Sequence, residues 1–237
     1  IGYQQITGLV QDGKALSYNA IGTILQVELA QPILPGASST FSMVFNAQIP
    51  LQIRRSGRGN KEDIDFTLTQ WYPKMAEYDE EGWHPDQYLG REFYGVWGDF
   101  DVKISIDKNY VLGGTGVVQN PEEVGHGYAT KMAPKRDKNQ KLTWHFVAEN
   151  VHDFAWAADP NFTHKSFLVE NGPTVHLLYN PKTAHVANWE KAPDDIKKYF
   201  AFMADKFGKY GYPQFSVIQA GDGGMECELL GSTSQDF

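Results

Sequence analysis

The sequence holds a single cysteine, Cys227. No disulfide can form within the chain, and burial rather than cross-linking must hold its fold. A lone thiol fits a reducing compartment and equally an exported protein with a large core, so both stay open. No stretch approaches the ~18 apolar residues of a membrane-crossing helix, and no membrane span is expected. Basic clusters are nearly as scarce. The densest, between Lys131 and Lys141, is interrupted by Asp137 and Asn139, and the net charge is −8. A nucleic-acid surface needs gathered cations, so no nucleic-acid partner is expected. A Gly-x-Ser-x-Gly elbow, a phosphate loop, internal repeats and low-complexity tracts are all missing. The chain opens on Ile1 with no charged-then-apolar leader, and its natural start is expected upstream.

What is there reads mainly as β. At 237 residues, with 41% hydrophobic and 21% charged content, the chain has room for one large domain, or for one domain and part of another. Apolar residues recur at every second position in Leu25–Leu29, Phe41–Phe45, Val102–Ile106 and Leu142–Phe146, as a strand with one buried face requires. Pro35-Gly36, the run Gly57 to Asn60, Gly113-Gly114 and Asn120-Pro121 supply the turns of a sandwich or open curved sheet.

The character changes after Asp159-Pro160-Asn161. A strand at Thr174–Tyr179 precedes a helix expected over Pro193–Tyr210, where Ile196, Tyr199, Phe200, Met203 and Phe207 form one apolar stripe. Asp194 and Asp195 in its first turn and Lys206 and Lys209 near its end suit the helix dipole, and Gly208 or Gly211 would stop it. A further strand follows at Phe215–Ile218. This is the opening of an α/β layer, and the expected division is a β-rich domain over 1–161, the beginning of a second domain over 162–226 and an atypical tail over 227–237.

Candidate chemistry concentrates in Gly223-Gly224-Met225-Glu226. Two glycines allow another backbone to approach closely, and a nearby carboxylate can hold a cationic group such as a peptide α-amine. The alternative is a tight turn with a solvated Glu. Trp71, Tyr72, Tyr78, Trp83, Tyr88, Phe93, Tyr94, Trp97 and Phe100 could line a groove, although packing of a loop-rich region is the expectation for most of them. His145 and Glu149 share a strand face near His152-Asp153, but no third and fourth metal ligand accompany them, so they are read as polar core or surface residues.

Thr69-Gln70-Trp71-Tyr72-Pro73-Lys74, Tyr78-Asp79, Gly82-Trp83-His84, Tyr94-Gly95, the run Gly98 to Val102, Tyr110-Val111 and Thr115-Gly116 stand upstream of Gly-Gly-Met-Glu. In that order and spacing the series resembles the aminopeptidase N family of gluzincin zinc metallopeptidases, from about Leu25 to Glu226. The resemblance implies a curved β-sandwich or saddle domain followed by the first α/β elements of a thermolysin-like catalytic domain. It implies a parent that removes N-terminal residues from peptides, with Gln70 and Glu226 gripping the free α-amine and Gly223, Gly224 and Met225 beside the substrate. Tyr72 departs from the family's usual Gln or Glu.

The family's zinc ligands, a His-Glu-x-x-His and a later Glu, follow the Gly-x-Met-Glu segment. None of the seven histidines here precedes a Glu, and no two are four apart. Zinc is therefore expected in the full-length parent and no metal ligand in this chain. Cys227 to Phe237 departs from the family pattern and is expected to be a polar tail. Two other readings remain: a non-catalytic β-sandwich module binding carbohydrate or protein, and a truncated pseudo-enzyme acting through protein contacts.

Overall fold

The computed structural model describes residues 2–53, 55–87, 94–129, 140–183, 185–220, 225–227 and 230–233. It is mostly β, and two compact units divide it: Ile1–Pro50 with Tyr72–Val96, and Leu51–Trp71 with Trp97–Phe237.

In the first unit, strand Tyr3–Gln11 lies between Lys14–Ala15 and Phe41–Gln48, all antiparallel. Asp12 and Gly13 make the first reversal with φ of 49° and 82°, the left-handed pair that a two-residue hairpin turn uses. Neighbouring side chains then fix the long loop beyond. The Asp12 carboxylate accepts from Thr40 N and Ser39 Oγ at 2.8 Å, and buried Gln11 donates to the Gln31 carbonyl and Ser39 Oγ at 3.0 Å. The bond from Thr40 N, more than any other, holds the Asp12 carboxyl below its ordinary range. Two further hairpins complete the unit, Tyr18–Ile21 with Ile24–Val27 and Tyr78–Asp79 with Gly82–Trp83.

The second unit stacks sheets. Gly98–Asp107, Lys141–Val151 and Val117–Val118 form one; Val111–Gly114, Trp156–Asp159, Phe66–Leu68 and Gly57–Arg58 form the next, each in that order. The third runs Thr163–Leu168, Thr174–Tyr179, Gln214–Gln219, Leu230–Thr233 and Met225–Cys227, its three middle strands parallel. Alternation assigns its faces. Val175, Leu177, Tyr179 and Val217 pack with Trp189, Ala192 and Phe200 of helix Val186–Phe207, whereas Leu178 and Ile218 pack with Ile64, Val111, Ala155, Ala157 and Phe162. That second contact is close: a Cβ on Gly113 would lie 2.5 Å from Ile218 Cδ1 and 3.0 Å from Leu178 Cδ1, so those side-chain ends would have to shift to admit it.

Val111–Gly114 is an outer strand of its sheet, and side chains satisfy its alternate carbonyls. Tyr128 Oη donates to the Leu112 carbonyl at 2.8 Å, Ser216 Oγ to that of Gly114 at 3.3 Å, and Gln214 Nε2 to that of Gly116, just beyond the strand, at 2.6 Å. The turn at Asp159-Pro160-Asn161 has a similar device. Buried Asp159 accepts from Asn161 N at 2.7 Å and Asp65 N at 3.0 Å, and Asp65 in turn accepts from Tyr110 Oη at 2.7 Å. Burial, then the bond to Asp65, pushes the Tyr110 hydroxyl up to about 12.

Three expectations need correction. The helix spans Val186–Phe207 with Pro193 inside it, not Pro193–Tyr210. Trp189, stacked on Tyr179 at 5.5 Å, and buried Ala192 anchor the turns before the proline, so tertiary packing overrides its cost. The apolar stripe is half used: Phe200 is buried and Ile196 packs, but Tyr199 and Phe207 are exposed. Within the expected polar tail, Leu230–Thr233 is a strand parallel to Gln214–Gln219.

Candidate functional site

Gln70 follows strand Phe66–Leu68 in the left-handed region, with φ of 50°. Such a conformation costs a non-glycine residue ~1–2 kcal/mol, so its neighbours must hold it there. They do. Thr69 Oγ1 donates to the Arg55 carbonyl at 3.3 Å, and the Thr69 carbonyl accepts from Ser56 Oγ at 2.9 Å. On the other side, Trp71 Nε1 donates to the Phe154 carbonyl at 3.0 Å, and the indole meets Trp156 edge-on at 6.2 Å. Among the described residues, the Gln70 side chain itself has no hydrogen-bond partner.

The other half of the sequence-derived site begins at the carboxyl end of strand Gln214–Gln219. Gly223 and Gly224 lie outside the described residues. Met225 and Glu226 open strand Met225–Cys227, antiparallel to Leu230–Thr233, with Met225 opposite Ser232 and Glu226 opposite Gly231. This strand ends the sheet, and its outer edge has no partner strand among the described residues. The described chain leaves strand Gln214–Gln219 at its carboxyl end with Ala220, and carboxyl strand ends are where open α/β sheets place ligands.

Side chains from Leu51–Trp71 converge on that strand end. The Ala220 carbonyl accepts from Asn60 Nδ2 at 2.8 Å, Gln52 Nε2 at 3.2 Å and Thr67 Oγ1 at 3.4 Å. A carbonyl oxygen has two lone pairs, so Asn60 and Gln52 take the better geometry and Thr67 the weakest. Beside it, buried Gln219 accepts from Asn180 N at 2.8 Å and donates to Glu62 Oε2 at 3.0 Å. Thr67, three residues before Gln70, therefore touches Ala220, three residues before Gly223. Nothing in the sequence marks Gln52, Asn60 or Thr67 for this task, because their partner lies 153 to 168 residues away.

The remaining candidates are dispersed. His145 Nε2 lies 2.9 Å from Asp101 Oδ1, and the His152 ring packs 5.5 Å from Trp97. Among the described residues no group of three or more His, Cys, Asp or Glu side chains is gathered to hold a metal ion, so the donor set present does not fit zinc. Of the aromatic series, Trp71 and Phe100 pack inward. Tyr78, Trp83, Tyr94 and Trp97 are exposed, more than a packing role predicts, and Tyr88 and Phe93 lie outside the described residues.

In fold the chain is similar to part of several M1 zinc metallopeptidases. A two-domain M1 zinc metallopeptidase bound to L-arginine matches over 97% of this chain and 50% of its own, with TM-score 0.62 and 12% identity. An M1 zinc metallopeptidase from Deinococcus radiodurans matches over 98% and 50%, with TM-score 0.61 and 13% identity. Yeast LTA4 hydrolase matches over 98% and 34%, with TM-score 0.54 and 11% identity. The chain spans about half the length of the first two. At these identities the likeness is one of fold alone, that of a mostly β chain with a helix between parallel strands near its end. No family model and no curated protein matches the sequence.

Proposed function

We infer that the chain is the amine-anchoring part of a zinc-dependent aminopeptidase. Gln70 and Glu226 take the free α-amine of a peptide, and Gly223, Gly224 and Met225 lie along its main chain. The observation that carries this reading is the convergence of Gln52, Asn60 and Thr67 on the Ala220 carbonyl, which seats the segment ending in Gln70 against the one leading into Gly223. An ammonium has three donors and no acceptor, so acceptors on two segments would fix both its charge and its direction. The outer edge of Met225–Cys227 suits an extended peptide, which adds to a sheet through main-chain bonds. The proposed division is a β-rich domain over 1–161, the beginning of a catalytic domain over 162–226 and an atypical tail over 227–237. Zinc belongs to the remainder of the parent, and no step of hydrolysis is assigned to this chain.

The test is binding to the 237-residue chain, followed by NMR, of a tripeptide with a free N-terminus and of its N-acetylated form. The free peptide should bind roughly tenfold more tightly, the size of a charge-assisted contact. Gln70→Ala and Glu226→Ala should each shrink that preference, and Glu226→Gln, which keeps an acceptor, should shrink it less. Equal binding of both peptides by the unmutated chain would refute the reading. A second reading, a binding module without catalysis, draws on the exposed Tyr78 and Trp83 rings, which meet edge-on at 4.9 Å. Oligosaccharide binding abolished by Trp83→Ala would favour it.

A further inference from the structure

The loop after the short helix Pro121–Val124 has three successive positive φ angles, 66° at Gly125, 49° at His126 and 87° at Gly127. The left-handed conformation is unfavourable for His126, so contacts must hold the loop down. Beneath it lie His164, on strand Thr163–Leu168, and His176, on strand Thr174–Tyr179. The loop rests so closely that a Cβ on Gly127 would come within 2.8 Å of His164 Nδ1.

The hydrogen bonds allow one arrangement of protons in the neutral pair. The His126 carbonyl can only accept, so His164 Nδ1, 2.9 Å away, carries the hydrogen. His164 Nε2 is then a bare lone pair, and His176 Nδ1, 2.8 Å from it, must donate. The chain therefore runs from His176 through His164 to the loop. Tyr128, also on the loop, stacks on His176 at 4.8 Å and lies 4.1 Å from the His164 ring centre. Trp144 of strand Lys141–Val151 backs His126 at 5.8 Å and Tyr128 at 5.5 Å. His126 Nε2 is itself held, 2.9 Å from the Lys108 carbonyl.

We propose that the His164–His176 pair is an acid-released latch on the Gly125–Tyr128 loop, closed when both rings are neutral and open when they charge. A first proton on His164 Nε2 can still be accepted by His176 Nδ1 if His176 carries its own hydrogen on Nε2, but once both rings are charged the two facing nitrogens meet donor to donor. A proton on His176 would put a cation into a buried aromatic stack with no counter-ion among the described residues. Among the described residues, the ionisable groups facing the pair are His126 and Tyr128 of the loop and the two rings themselves. Among the described residues, no carboxylate or lysine acts on either imidazole. Burial pulls both rings down, His176 to about 4, where its charged neighbour His164 adds to the effect.

The direction follows from linkage. Rings that resist a proton in the closed loop but accept one in the open loop weaken the closed form as pH falls below the ordinary value near 6.5. The loss continues until the closed form's own value, about 4 for His176. Across that window the opening equilibrium grows by up to ~10-fold per pH unit per histidine.

Hydrogen exchange of the whole chain between pH 7 and pH 3.5, corrected for intrinsic rates, tests this. Protection at residues 125–128 should fall below pH 6.5, ahead of strands Lys141–Val151 and Gln214–Gln219. Nitrogen-15 NMR of the histidine rings should show Nδ1–H tautomers for both at pH 7 and their charging in step with the loss of loop protection. The double variant His164→Gln, His176→Gln should lose the pH dependence whatever its protection at pH 7. Should it fail to fold, the ring NMR of the unmutated chain decides. A loop that stays protected while both rings charge, rings that stay neutral to pH 3.5, or a loop lost only together with every strand would each overturn the proposal.

Discussion

Asn60 donates from Nδ2 to the Ala220 carbonyl over 2.8 Å while its Oδ1 accepts the N–H groups of Glu62 and Ile64 at 2.9 and 3.0 Å. One side chain shapes its own turn and holds a strand end 160 residues further on.

Asn60→Asp separates these duties. It keeps an oxygen for Glu62 and Ile64 but turns a second oxygen toward the carbonyl where the donor stood. The chain should lose about 1–3 kcal/mol, the cost of a buried acceptor deprived of its best donor. Urea unfolding would read this as a lower midpoint at unchanged slope. An unchanged midpoint would mean that Gln52 and Thr67 suffice.

Gly113→Ala places a methyl group against Ile218 and Leu178 where two sheets meet. Only side-chain ends are in the way, so the core can shift, at about 1–3 kcal/mol. Gly98→Ala is the control: nothing lies within 4 Å of its Cβ, and the effect should stay within ~0.5 kcal/mol of zero. Equal melting temperatures for the two variants would contradict the close sheet packing.

Asp79 and His84 pair across 2.8 Å in the hairpin Tyr78–Asp79 with Gly82–Trp83. Their mutual hydrogen bond is the first cause of both shifts, lowering the carboxyl and raising the imidazole. The aspartate's contribution is present above its unfolded value and is lost as pH falls through its lower folded value. The histidine's is full below its unfolded value and is lost as pH rises through its higher folded value. The hairpin should thus be best held from about pH 4 to about pH 6.5. Proton NMR titration of His84 should give a midpoint above 6.5 that drops toward 6.5 in Asp79→Asn; identical midpoints would remove the pair from the account.

Period-two alternation made the half-buried strands legible, and Leu25–Leu29, Phe41–Phe45, Val102–Ile106 and Leu142–Phe146 all fall on or largely within strands. It could not reveal Trp156–Asp159, where all four residues are buried and no polar face alternates. The helix start was hidden because Pro193 reads as a first-turn residue, whereas Trp189 stacking on Tyr179 extends the helix back to Val186. Of the proposed site, only part can be read from local sequence. Gln70 and Gly223 to Glu226 stand out by residue type and order. The donors on Ala220 and the linked histidines His164 and His176 arise from contacts that no local pattern announces.

Two of the second unit's outer strands, Val111–Gly114 and Met225–Cys227, have opposite consequences for how the molecule meets its own copies. The carbonyls of Leu112, Gly114 and Gly116 are occupied by Tyr128, Ser216 and Gln214, so a stray strand finds no row of acceptors there. At concentrations where unpaired strand edges drive aggregation, that side should stay inert. Any self-association of this unit through strand pairing is thereby directed away from Val111–Gly114 and toward edges such as Met225–Cys227, which has no partner strand on its outer side among the described residues.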